Sequence, residues 1–235
     1  VKYAYVAGAM YRGIASRELV VRMGRAGMLS FLGTGGMILE NIEDDIRYIK
    51  NELSDDQPYG VNLLHQPAEP RIEEEQVEAY LRHKIRHVEA AAYMQVLSLP
   101  LIRYRLTGAA RKSDGTLHVP HKVLAKVSRP EVATAFLSPP PEELVRKLLD
   151  YKMITPAEAE IAAFIPVSDD ICIEADSGGH TDRGVAFVLL PAIILLRDEM
   201  MKKHRYGRKV GIGAAGGIGL PESAAAAFIM GADFI

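Results

Sequence analysis

The chain has 235 residues, of which 49% are apolar and 25% charged, with a formal net charge of −2. That balance belongs to a folded globular chain and excludes disordered and fibrous classes. It offers no excess of positive charge to displace counterions from a nucleic acid, so a general DNA or RNA binder is disfavoured.

No apolar run reaches the roughly 18 residues of a membrane span. The longest, residues 185–196, is broken by Pro191. The opening Val1-Lys2-Tyr3-Ala4 does not lead from a basic segment into an apolar core, and the single cysteine, Cys172, cannot form an internal disulfide. These features predict a cytoplasmic protein with no membrane partner. Cys172 alternates with Ile171 and Ile173, which reads as a buried structural thiol rather than a nucleophile.

In chain order, short apolar runs alternate with amphipathic stretches. Residues 3–7 form the first predicted strand and end at Gly8-Ala9-Met10. Ser16 is placed to cap a helix over Arg17–Arg25, which Gly27 stops. A second strand, 28–32, runs into Gly33-Thr34-Gly35-Gly36, and Asn41 is the predicted cap of a helix over 42–53. The third strand, 59–64, carries Asn62; a helix over 73–84 and a fourth strand, 88–92, follow. Residues 93–121 predict a short helix and a hairpin turning at Ser113-Asp114-Gly115. After the fifth strand, Lys122–Val127, residues 129–170 are too long for a simple connection. They read as a helical insertion over 131–136, 142–151 and 156–164, the last opening on a capping box of Thr155 and Glu158. Strands at 171–175, 209–213 and 232–235 complete the series.

Eight strands in βα alternation predict an α/β fold, a (β/α)8 TIM barrel in one domain over 1–235, with a helical insertion after the fifth strand. A doubly wound open sheet is the alternative. Because the sequence stops within the eighth strand, the C-terminal end of the barrel is expected to be missing and the chain to be a fragment.

The chemistry clusters at strand ends. Gly211, Gly213 and Gly216 spell G-x-G-x-x-G between a strand and a helix at 221–230. As a dinucleotide fingerprint the motif comes too late, since only 19 residues follow Gly216. After the seventh strand of a barrel, the same glycines suit a phosphate held by backbone amides; tight packing alone is the plainer alternative. Glu174-Ala175-Asp176-Ser177-Gly178-Gly179-His180-Thr181 ends the sixth strand. There Gly178 and Gly179 would let the backbone pass close to a flat ligand, and His180 would offer a proton donor near neutral pH, against the alternative of a structural histidine. Lys126, on an apolar strand, requires an anionic or carbonyl partner. Small residues, Asn62 and Lys126 on one rim suit an isoalloxazine ring with its carbonyls and phosphate tail. No metal is expected.

The stretches 174–182, 213–219 and Ala125-Lys126-Val127-Ser128-Arg129-Pro130 resemble the PfaD-like enoyl reductases. These belong with the nitronate monooxygenase (2-nitropropane dioxygenase-like) flavoproteins. The resemblance runs through nearly the whole chain, including the 129–170 insertion. It implies an FMN-bound barrel that takes hydride from NADPH and reduces an enoyl thioester on an acyl carrier protein, within a polyketide or polyunsaturated fatty acid synthase assembly. By the same resemblance Gly8, Ala9 and Met10 line the flavin, Asn62 hydrogen-bonds it, Lys126 faces its N1/O2 side, and Gly178 and Gly179 touch it through backbone. Ala215, Gly216 and Gly217 bind the phosphate, and His180 is the active-site histidine. Family members often associate as dimers, and relatives continue past the eighth strand into a second phosphate-binding turn. The rival functions are a nitronate monooxygenase-type oxidase, a non-catalytic flavin-binding docking domain, and a Rossmann dehydrogenase. Arg103, Arg105, Arg111 and Lys112 form a candidate docking patch for an acidic carrier protein, with a solvated basic face as the alternative.

Overall fold

The computed structural model describes residues 1–94, 96–175 and 183–235. It divides into two compact units, Val1–Ala91 and Ala92–Ile235.

In the first unit, four parallel strands follow one another in sequence and in space: β1 (Val6–Ala7), β2 (Leu29–Leu32), β3 (Gly60–Leu64) and β4 (His87–Ala91). They are nearly continuous apolar runs, as parallel strands covered by helices must be. Between them lie α1 (Arg17–Arg25), α2 (Leu39–Glu52) and α3 (Pro70–Arg82). Ser16 caps α1 by accepting the Leu19 N–H at 3.3 Å, and Gly27, at φ +76°, turns the chain out of it. Val20, Ile42, Ile46, Ile49, Val77 and Tyr80 carry the helices' buried stripes.

Two expectations are corrected here. The strand expected over 3–7 shrinks to Val6–Ala7, because β2 supplies partners only from Leu29 and Ser30 and the chain before it meets Gly27 through Lys2 N–H instead. The α2 helix begins at Leu39 with Ile38 as a cap that makes no side-chain hydrogen bond, so Asn41 lies within its first turn. A turn in which Met37 N–H donates to the Thr34 carbonyl sets the entry instead.

In the second unit, α4 (Leu99–Leu106) leads to an antiparallel hairpin, β5 (Ala110–Arg111) and β6 (Leu117–His118), as the turn residues predict. Three parallel strands, β7 (Lys122–Val127), β8 (Asp170–Glu174) and β9 (Gly211–Ala215), follow. The insertion between β7 and β8 is helical as expected: α5 (Pro130–Leu137), α6 (Glu142–Asp150) and α7 (Pro156–Ile161). The capping box is present: Glu158 N–H donates to Thr155 Oγ1 at 3.3 Å and Thr155 N–H to Glu158 Oε2 at 2.7 Å. The remaining helices are α8 (Ala186–His204) and α9 (Pro221–Ile229). Residues 232–235 form no extended strand; the chain touches β9 through one parallel bridge, Gly213 to Phe234, whose ring occupies the space a Cβ on Gly213 would need. No helix among the described residues is long and apolar enough to cross a membrane.

Candidate functional site

In the first unit, the expected residues gather around one that the sequence pattern had not singled out. Glu89 sits in β4 at 1% exposure, a carboxylate inside an otherwise apolar strand. Both its oxygens lie 3.2 Å from the Ala9 N–H, and its Oε2 accepts from Asn62 Nδ2 at 3.2 Å. A side chain on Gly8 would begin 3.1 Å from Glu89 Oε1, so Gly8 is what lets the β1 end approach this carboxylate. Asn62 is 5% exposed on β3, beside Glu89 in register. Its carbonyl lies just beyond the end of β2, and Thr34 Oγ1 and Tyr80 OH each donate to it at 2.8 Å. Burial raises the Tyr80 phenol far above its ordinary pKa, which keeps it a neutral donor. Gly33 packs against the Met10 backbone, and Met10 itself is 46% exposed. Gly8, Ala9 and Asn62 are therefore brought together by Glu89. The signal that could have found Glu89 is the one that singled out Lys126: a charge in an apolar strand.

In the second unit, Lys126 finds the anion it requires. Its Nζ lies 2.8 Å from Glu174 Oε1, with the two side chains 14% and 12% exposed. Beyond β9 the chain turns through Gly216 at φ +108° and Gly217 at φ +65°, conformations that favour glycine. A Cβ on Gly216 would sit 3.1 Å from the Ala175 carbonyl, so the turn hugs the end of β8 before α9 begins. The Ala215 carbonyl accepts the Ala175 N–H at 3.1 Å. Cys172 is buried in register with Lys126, as expected of a structural thiol. Gly178, Gly179 and His180 lie outside the described residues.

A different cluster lies at the opposite, N-terminal ends of β7, β8 and β9. A cavity of about 380 Å3 is lined there by Arg105, Lys122, Phe164, Tyr206 and Arg208 among others. Asp169 organises its wall, meeting Arg105 at 2.5 Å, Lys122 at 3.3 Å and Arg208 at 3.4 Å. This corrects the expected basic patch: Arg105 is 2% exposed and tied to Asp169, the Pro166 carbonyl and the His121 carbonyl, so it presents no charge to a partner.

The nitronate monooxygenase family model matches residues 1–235, and the chain belongs to that family. It is 53% identical over 233 residues to the polyketide biosynthesis protein PksE of Bacillus subtilis, covering 99% of this chain and 30% of that protein. It is 41% identical over 230 residues to a polyunsaturated fatty acid synthase component of a Thraustochytrium species, covering 97% of this chain and 15% of that one. Among solved structures, the enoyl reductase domain of MlnA, from the macrolactin cluster of Bacillus amyloliquefaciens, superimposes with a TM-score of 0.96 at 48% identity. That match covers 100% of this chain and 53% of the MlnA chain, so the chain spans about half of its structural relative and less of its curated ones. The relatives bear out the resemblance to PfaD-like enoyl reductases, and the α/β TIM-barrel class expected from the strand alternation stands.

Proposed function

We propose that this chain is the flavin-binding barrel region of an FMN-dependent enoyl reductase. Its reaction would reduce the α,β-double bond of an enoyl thioester on an acyl carrier protein, with NADPH as hydride source, in a polyketide or polyunsaturated fatty acid assembly. The observation that carries the reading is the 48% identity to an enoyl reductase domain across 100% of the chain.

The residues present fit an isoalloxazine and its phosphate. Asn62, 5% exposed, has its Nδ2 held by Glu89, and its Oδ1 accepts no hydrogen bond among the described residues, which leaves that oxygen able to take one. Lys126, fixed by Glu174, supplies a positive charge in a nearly buried setting. The left-handed turn at Gly216 and Gly217 leads into α9, whose N-terminus favours an anion. When bound, FMN would supply hydride transfer, which no side chain here provides.

On this reading Gly8, Ala9 and Met10 would line the ring, and Asn62 would hydrogen-bond it. Lys126 would stabilise negative charge on its N1/O2 side. Gly178 and Gly179 would pass against the ring by backbone, and Ala215, Gly216 and Gly217 would hold the phosphate. His180 would be the catalytic residue, polarising the thioester carbonyl or protonating the α-carbon.

The family match also keeps nitronate oxidation in view as a second reading. Anaerobic addition of NADPH to the purified protein tests the first half of the proposal: flavin absorption that bleaches supports it, and a protein that stays colourless after incubation with FMN overturns it. Crotonyl thioester turnover against nitronate turnover then separates the two chemistries.

A further inference from the structure

The loop that follows β1 carries an arginine whose side chain the fold hardly uses. Arg12 stands at φ +51° and ψ +41°, the left-handed region that L side chains disfavour and glycine adopts freely. The backbone is held there by its neighbours: Arg12 N–H donates to the Gly35 carbonyl at 2.8 Å and Gly13 N–H to the Gly33 carbonyl at 2.9 Å. Tyr11 seats the loop as well, since a Cβ on Gly36 would meet its side chain at 2.5 Å. None of these contacts uses the Arg12 side chain. That side chain belongs to an exposed residue, places its Cζ 5.4 Å from the Tyr11 ring centroid, and makes no ion pair among the described residues.

The surroundings say what such a guanidinium suits. Residues 8–15 and 33–38 contain no acid, and Arg12 is the only charged residue on the two segments. On the same segments Met10, Tyr11, Ile14 and Ile38 are exposed. An uncompensated guanidinium beside exposed apolar side chains complements an anion carried on a weakly polar chain, and its planar fork matches a phosphate. The same loop contains Ala9 and Met10, which line the flavin ring on the reading above. Three residues of chain separate Ala9 from Arg12, so their Cα atoms lie within about 11 Å. A thioester on an acyl carrier protein hangs from a phosphopantetheine arm, with the reacting group at one end and a phosphate at the other.

We propose that Arg12 is a specificity residue that takes the phosphate of the phosphopantetheine arm at the C-terminal ends of β1 and β2. The exposed apolar side chains border the arm between that phosphate and the thioester. This rests on the enoyl reductase reading and deepens it, by naming the part of the carried substrate that is recognised away from the double bond.

The test is calorimetric titration of the flavin-loaded protein with two saturated thioesters, butyryl-pantetheine and butyryl-4′-phosphopantetheine, which differ in the phosphate alone. The wild type is expected to bind the phosphorylated form about fivefold more tightly, the size of one exposed charge-assisted contact, and to lose most of that preference in 0.5 M salt. In Arg12→Gln the preference is expected to fall to within about twofold of unity. If that variant fails to fold, Arg12→Gly, which suits the left-handed turn, replaces it. Equal binding of the two thioesters by the wild type overturns the proposal and leaves the reductase reading standing. So does a preference unchanged in the folded variant. A variant that keeps the preference but binds NADPH more weakly assigns the guanidinium to the nucleotide phosphate and overturns the proposal too. Binding of neither thioester by the flavin-loaded wild type overturns the thioester reading and the proposal together.

Discussion

Lys126 Nζ lies 2.8 Å from Glu174 Oε1 across two hydrogen-bonded parallel strands, with both side chains nearly out of solvent. Lys126 is in register with Cys172, so Glu174, two residues further on, projects from the same face of the sheet. Losing one partner of a buried pair costs more than the pair contributes, because the survivor keeps its desolvation penalty. Lys126→Met is therefore expected to destabilise the protein by about 3 kcal/mol in urea unfolding at neutral pH. Glu174→Gln costs less, since a lysine stem can carry its ammonium toward water. Equal costs for the two would show that the pair is not what holds Glu174 in place. On the FMN reading, Lys126→Met also lowers the flavin midpoint potential, because the ammonium stabilises the reduced anionic ring.

Asp169 and Asp170 are sequence neighbours with opposite electrostatics. For Asp169, burial opposes ionisation, yet Arg105, Lys122, the Val123 N–H and Arg208 outweigh it and hold the carboxyl below its usual range. For Asp170, burial and the adjacent Asp169 charge push the pKa from 3.8 up to about 6. Between those two values the native state holds a proton that the unfolded chain has lost, so the Asp170 contribution to stability falls as pH rises through that window. Asp169 contributes in the other direction: its stabilisation is present above the unfolded pKa and is lost as pH falls through the native one. Asp170→Asn is thus expected to raise stability at pH 7 by about 1–3 kcal/mol and to leave it unchanged near pH 4. Asp169→Asn is expected to lower it at pH 7 by about 3–5 kcal/mol. Urea unfolding at the two pH values checks both, and a stabilising Asp169→Asn would refute the assignment.

Gly33 stands where the chain has no room for a side chain. A Cβ there would sit 1.8 Å from the Met10 carbonyl oxygen, a backbone atom that no rotamer change can move. Gly33→Ala is expected to displace the segment after β1 and to cost at least about 3 kcal/mol, at the upper end for overpacking because backbone must shift. The readouts are thermal unfolding and faster proteolysis around Met10. A variant as stable and as resistant as the wild type would mean that the close approach is absent in solution.

Local chemistry decided how much of this was legible beforehand. Ser16 and the Thr155–Glu158 box announce their helices because a capping side chain bonds a backbone N–H two or three residues away. The start of α2 at Leu39 has no such side-chain bond, so Asn41 looked like a cap while the Thr34–Met37 turn set the boundary. Residues 3–7 have strand composition, but strand status depends on a partner strand whose extent composition does not encode. In the same way Arg105 looked like part of a surface patch, because its partner Asp169 is 64 residues away. Lys126 and Asn62 stood out as polar residues on apolar strands; Glu89, equally conspicuous on its strand, gained meaning only once Ala9 and Asn62 were seen to meet on it.

His180, outside the described residues, carries the last prediction because it separates an enzyme from a docking module. If it donates a proton to the α-carbon of the enoyl thioester, His180→Ala should lower kcat on carrier-bound substrate by about 10^2–10^4-fold, the usual range for loss of a general acid. The pH profile should change with it. A histidine acid makes activity fall as pH rises through the imidazole pKa, and that limb should vanish in the alanine variant. Unchanged turnover with an unchanged profile would place proton delivery elsewhere. Turnover absent in the wild type as well, with flavin bound, would favour the docking module.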